Sequence, residues 1–197
     1  PKVIERIRRL MTSDNIYSKG KLTFIEADLT DYELISKIFL ENHSLKNPIA
    51  GVIHFAGLKA INESINDPLG YWDINLVSTI NLLKVMNYIN CKNIVFSSSA
   101  AVYGITDQKL ISEESSLMPI NPYGRTKLTI EKILQDLFNS DSKDWKIANL
   151  RYFNPIGAHP SGLIGENSIG MPNNIFPLIM EVASGKIANL KIYGSDW

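Results

Sequence analysis

The chain has 197 residues, 45% of them hydrophobic, with 20 basic and 20 acidic side chains. That length buries one core rather than two, and a formal charge of zero leaves no field to draw in nucleic acid or an anionic membrane, so any phosphate recognition must be local. The one cysteine, Cys91, excludes an internal disulfide, and no signal peptide or membrane-length apolar run is visible, so a cytoplasmic protein with small-molecule partners is expected.

Val3, Ile7, Leu10 and Met11 recur at helical spacing, and residues 21–26 have strand character ending at Ala27-Asp28-Leu29. Leu34, Ile35, Ile38 and Phe39 form a second helical stripe behind Asp31. Residues 49–56 read as a buried strand. Pro68 suits the first turn of a long helix whose stripe runs through Leu76, Ile80, Leu83 and Met86. A strand follows over 93–96, a helix over 123–138, a strand over 147–152, a helix over 177–184 and a short strand over 190–193. Between 154 and 174 the pattern gives way to Gly, Pro, Asn and Ser, a long loop. Strand and helix alternating at this interval imply right-handed crossovers and an α/β, doubly wound parallel sheet covered on both faces.

In such a sheet ligands sit outside the carboxyl ends of the strands, which nominates Asp28, the segment Ala56-Gly57-Leu58-Lys59, Ser97 to Ser99, and Phe153-Asn154. Singly, each has an ordinary reading as a turn, a cap or a loop. Tyr123 and Lys127 add a chemical pairing: four residues apart at a helix start, they share a face. An ammonium and a helix N-terminus both favour a tyrosine's phenolate, which would make Tyr123 a usable base, and Ser99 could share the proton of a substrate hydroxyl. Tyr-x-x-x-Lys is also a common surface pair, so the strand-end serine and the crevice carry the argument. His54 reads as a core histidine, Cys91 as a buried spacer, Tyr103 as packing beneath the serines and Tyr71-Trp72 as helix packing. His43, His54 and His159 are too scattered to suggest a metal site.

With these residues in place, the chain resembles the UDP-glucose 4-epimerases of the extended short-chain dehydrogenase/reductase superfamily. Four segments carry the likeness: His54-Phe55-Ala56-Gly57-Leu58-Lys59-Ala60 with Glu63-Ser64, Ser97 to Gly104, Pro122 to Lys127, and Leu150 to Gly162 with Pro172-Asn173-Asn174 downstream. The resemblance implies a Rossmann-like fold, with residues 1–153 forming an NAD-binding part and 154–197 the start of a UDP-sugar-binding part. It implies Ser99, Tyr123 and Lys127 as catalytic residues. Asp28, Leu29, Phe55, Ala56, Gly57, Leu58, Lys59, Asn75 and Phe153, with the catalytic three, would contact NAD. Lys59, Asn154, Asn174, Lys191, Ile192 and Tyr193 would join Ser99 and Tyr123 around the UDP-hexose.

The implied reaction is reversible: Tyr123 takes the proton of the sugar 4-hydroxyl while the C4 hydride passes to NAD, the 4-keto sugar turns over, and the hydride returns to its other face. A homodimer through the helices near 68–89 and from 123 onward is implied too. Two departures stand out. Ile74 takes the place of the first of two asparagines and cannot make its side-chain hydrogen bond. Arg125-Thr126 replaces Lys-Ser at positions expected to face away from Tyr123. The family's opening strand and glycine-rich turn would precede Pro1, and an arginine for the UDP phosphates would follow Trp197. The sheet is therefore expected to be incomplete, and the isolated residues to bind NAD poorly, show little activity and aggregate. A nucleotide-sugar dehydratase or decarboxylase on the same fold would want acidic residues where Ala100-Ala101 stand, and a non-catalytic NAD(P) sensor usually lacks the Tyr or the Lys present here.

Overall fold

A computed structural model describes residues 2–13, 20–44, 48–107, 109–140, 144–166, 174–192 and 194. Its helices are α1 (Lys2–Ser13), α2 (Tyr32–Ser44), α3 (Ile61–Asn66), α4 (Pro68–Trp72), α5 (Ser78–Tyr88), α6 (Pro122–Asn139) and α7 (Ile175–Ala183), with a π-helical turn at Asp73–Val77 and a 3-10 turn at Ala100–Val102. The strands among the described residues are β1 (Val52–His54), β2 (Asn93–Ser99) and β3 (Lys146–Tyr152), all parallel, in the order β1-β2-β3. Two compact units divide the chain, Glu26–Phe153 and Pro1–Ile25 with Asn154–Trp197.

The unit Glu26–Phe153 contains the sheet. Parallel strands need long crossovers, and both step in the same direction, from β1 to β2 and from β2 to β3; right-handed crossovers then put their helices on one face. Ile94 and Phe96 of β2, 2% and 0% exposed, accordingly pack in one cluster with Leu82, Leu83 and Met86 of α5, Ile130 and Leu134 of α6, and Ile35 and Phe39 of α2. Each large side chain so buried contributes about 1.5–3 kcal/mol. Register sets His54 and Asn149 beside Phe96, and Tyr152 beside Ser99. The other face carries Ile53, 66% exposed, with the exposed Leu150 and Tyr152.

Several expected boundaries move. Residues 21–26 and 190–192 form no strand: strand character needs a hydrogen-bonded neighbour, and these segments join no ladder among the described residues. Tyr193 lies outside the described residues. The strand expected over 49–56 narrows to Val52–His54, because Gly57, at φ +147°, turns the chain away soon after it. The single long helix expected from Pro68 is interrupted by the π turn, and α3 occupies a stretch for which the sequence predicts no element. Tyr71 joins α3 to α4: its hydroxyl donates to the Ala60 carbonyl at 2.8 Å and to the Glu63 carboxylate at 2.9 Å. Burial, with Glu63 beside it, pushes the Tyr71 phenol up to about 12.

In the unit Pro1–Ile25 with Asn154–Trp197, the loop after 154 is pinned by an antiparallel bridge between Ala158 and Gly165, and the Arg6 guanidinium of α1 donates to the Leu163 carbonyl at 3.2 Å. Residues 167–173 of that loop lie outside the described residues. No helix among the described residues is long and apolar enough to cross a membrane.

Candidate active site

The helix α6 begins where its sequence requires. Asn121 is extended and its side chain accepts from the Gly124 amide at 2.7 Å, while Pro122 follows where no amide donor is needed. That start is pressed against the turn after Ser99: a Cβ on Gly124 would lie 2.7 Å from the Ala101 carbonyl oxygen and 3.0 Å from Pro119 Cβ. The Ser99 hydroxyl oxygen accepts from the Ala101 amide at 3.2 Å, which fixes the serine at the mouth of the same turn. Only a residue without a side chain lets helix and turn approach this closely.

Spacing of four then aligns Tyr123, Lys127 and Glu131 along one face of α6 toward β2. Tyr123 is 9% and Lys127 5% exposed. The Lys127 ammonium donates to the Ser97 carbonyl at 2.9 Å and lies 4.9 Å from the Phe96 ring centre and 5.8 Å from that of Tyr123. Burial lowers its pKa to about 8. One turn further on, Glu131 accepts from the Ser98 hydroxyl and pairs with Arg151 of β3, Nη2 to Oε2 at 2.8 Å and Nε to Oε1 at 3.1 Å. Arg151 also donates to the Tyr103 hydroxyl at 3.0 Å and the Glu113 carbonyl at 3.1 Å, and Glu131 raises its pKa further above the usual guanidinium range. An ion pair between a buried carboxylate and a partly buried guanidinium is thus built directly behind the serine strand.

The loop after β1 meets the same place. The Asn75 side chain, 2% exposed and set in the π turn, accepts from the Leu58 amide at 2.8 Å and donates to the Leu58 carbonyl at 3.2 Å and the Thr126 hydroxyl at 3.1 Å. The Thr126 hydroxyl in turn donates to the Tyr123 carbonyl at 2.8 Å. Behind Asn75, the Thr79 hydroxyl donates to the Asn75 carbonyl at 2.7 Å and contacts His54 Nε2 at 2.9 Å. His54 is therefore the satisfied core histidine its sequence setting suggests; burial first, then the charge of Lys127, lowers its pKa to about 4.

The geometry brings together Gly57, Leu58, Asn75, Ser97 to Ser99, Tyr123 and Lys127. Asp28 is exposed in a turn of its own, accepting from the Thr30 amide and hydroxyl at 2.8 Å each, which holds its carboxyl below the usual range; Asn81 braces that turn by donating to the carbonyls of Leu29 and Thr30. Phe55, Ala56 and Lys59 are exposed around the same loop, and Phe153 stacks at 6.2 Å on Tyr103. Asn154, Asn174, Lys191 and Ile192 belong to the other unit and are exposed there; Asn174 donates to Glu166 at 3.2 Å. Thr126, expected to face away from Tyr123, is instead fully buried and bonded to its carbonyl, because the position three along a helix returns to the carbonyl side. Glu131, Arg151, Thr79 and Gly124 escape the sequence reading, although Glu131 is signalled by its place four beyond Lys127.

The fold and site define a parallel α/β protein in which a helical tyrosine and lysine meet a strand-end serine. Residues 2–196 match the NAD dependent epimerase/dehydratase family, and the chain belongs to it. It is 47% identical over 194 residues to UDP-glucose 4-epimerase 2 of Arabidopsis thaliana, covering 98% of this chain and 53% of that protein. With the UDP-glucose 4-epimerase of Bacillus subtilis the identity is 50% over 176 residues, covering 89% and 50%. A Bifidobacterium longum UDP-glucose 4-epimerase, solved in complex with NAD+ and UDP, superposes with a TM-score of 0.86 at 42% identity, over 100% of this chain and 55% of that one. The chain spans about half the length of the curated relatives it matches.

Proposed function

We propose that this chain forms the catalytic half of an NAD-dependent UDP-glucose 4-epimerase, interconverting UDP-glucose and UDP-galactose. The observation that carries the reading is the alignment of Tyr123 and the buried Lys127 ammonium on one helix face against the end of the serine strand. The relatives' names point to the substrate, and the solved relative with NAD+ and UDP to the ligands.

A dinucleotide fits the residues present. Lys127 makes one hydrogen bond among the described residues, to Ser97, which leaves two ammonium N–H groups for ligand hydroxyls at the carboxyl end of the sheet. Gly57, Leu58 and Lys127 would hold the cofactor's nicotinamide side, with Asp28 and Leu29 toward its adenosine. When bound, NAD supplies the hydride acceptor and then the donor at sugar C4. The Tyr123 phenolic oxygen takes the proton of the 4-hydroxyl and later returns it, so proton and hydride both come back and no net oxidation occurs. Lys127 keeps positive charge beside that oxygen, and Ser99 holds the sugar oxygen in line. By the likeness to the relatives, Asn154, Asn174, Lys191, Ile192 and Tyr193 are assigned to the UDP-hexose in this reading, as is Lys59.

The same reading makes the enzyme a cytoplasmic homodimer. Exposed Leu69, Tyr88 and Phe138, at 79%, 76% and 50%, give α4, α5 and α6 an apolar surface suited to helix pairing between two copies. The test uses a polypeptide of the relatives' length that carries these 197 residues, incubated with UDP-galactose and no added reductant. Formation of UDP-glucose supports the proposal; an untouched substrate with NAD bound refutes the substrate assignment.

A further inference from the structure

We propose that Asn75 is a positioning residue that clamps the Gly57–Leu58 loop to the helix bearing Tyr123 and Lys127, so that the dinucleotide-facing main chain and the catalytic pair are held as one body. The proposal rests on the reading of the cleft as a dinucleotide site. Three observations carry it. Both polar groups of the Leu58 backbone are bonded to the one amide, and the remaining amide N–H goes to Thr126, which in turn bonds the Tyr123 carbonyl. The amide's two donors are therefore spent within the protein, and what it can offer a ligand directly is one lone pair.

The second observation is how Asn75 comes to point there. In and beside the π turn the carbonyls are held on both sides: the Ser78 amide and hydroxyl both donate to that of Ile74, the hydroxyl at 2.5 Å, and the Thr79 hydroxyl donates to that of Asn75 at 2.7 Å. The extra residue turns Asn75 inward without leaving its carbonyl unbonded. The third is the fit of Gly57, at φ +147°: a Cβ would come 2.9 Å from Asn75 Oδ1 and 3.9 Å from Lys127 Nζ. Loop, amide and ammonium are in contact range of one another, and the glycine is the price of that approach.

The test is amide hydrogen exchange on the full chain, with no ligand. In Asn75→Ala the Leu58 amide should exchange about tenfold faster or more, while Phe96 in the β2 ladder keeps its protection. Thr126→Val, which keeps volume but loses the hydroxyl, should speed Leu58 in the same direction, and Thr126→Ser should restore it. The Lys127 ammonium, followed by nitrogen NMR, should titrate above its native value in Asn75→Ala and Thr126→Val, because a loosened loop admits water beside it; His54 and Tyr123 are the other titratable groups facing it. A Leu58 amide unchanged, or speeding only in step with Phe96, overturns the proposal. So does Thr126→Ser behaving like Thr126→Val, which decides the matter if Asn75→Ala does not fold. A polypeptide that fails to convert UDP-galactose while these exchange effects appear would refute the epimerase reading and leave the clamp intact.

Discussion

Replacing Lys127 by methionine should remove catalysis while leaving the fold as stable as before or more so. The lysine is 5% exposed, and burial lowers its pKa from 10.5 to about 8. Those 2.5 pH units correspond to about 3 kcal/mol that the native state pays at pH 7 to keep the ammonium charged. Methionine of similar length removes that cost but leaves the Ser97 carbonyl without its donor, worth about 1–3 kcal/mol. The net is a gain of roughly 0–2 kcal/mol at pH 7. The sign reverses with pH. Between about pH 8 and 10.5 the unfolded chain holds a proton the folded chain has lost, so wild-type stability rises with pH relative to the variant, and above 10.5 the advantage of methionine is gone. Urea unfolding of both proteins at pH 7 and pH 10.5 measures this, and the difference cancels every other titrating group. A variant less stable than wild type by more than about 1 kcal/mol at pH 7, or a difference that does not change with pH, would refute the reasoning.

Gly124→Ala should cost about 1–3 kcal/mol in urea unfolding, because the new methyl meets the Ala101 carbonyl at 2.7 Å and must push α6 off the serine turn. Glu131→Ala strands the partly buried Arg151 guanidinium and should cost about 3–5 kcal/mol, read from the same experiment. His54, neutral when folded, should make stability fall by about 3 kcal/mol as pH drops from 6.5 to 4, since the unfolded histidine binds its proton first; the drop should be smaller by that amount in His54→Gln.

Much of this was legible in the sequence because its signals are local. The Tyr123 and Lys127 pairing follows from a spacing of four, the start of α6 from Asn121-Pro122, and the parallel order from strand and helix alternation. The burial of His54 follows from its apolar strand. What could not be read depends on contacts between distant segments. Residues 21–26 have the composition of a strand, but a ladder partner is not a property of the segment itself. The bond from Asn75 to Thr126 joins residues 51 apart, through a π turn that no short pattern announces. Glu131 and Arg151 look like ordinary surface charges until β2 and β3 are set side by side. Gly124 has an ordinary negative φ, and its requirement appears only once the Ala101 carbonyl is seen against it.

The central claim is that Tyr123 moves the proton of a nucleotide-sugar hydroxyl. The most direct measurement compares UDP-galactose conversion by the polypeptide of the relatives' length with that of its Tyr123→Phe variant, after circular dichroism and thermal unfolding have shown both to be folded alike. The account predicts conversion without added reductant that falls by roughly 10²–10⁴-fold in the variant. Conversion retained within about a few-fold in Tyr123→Phe would contradict it, because the proton would then be leaving by another group.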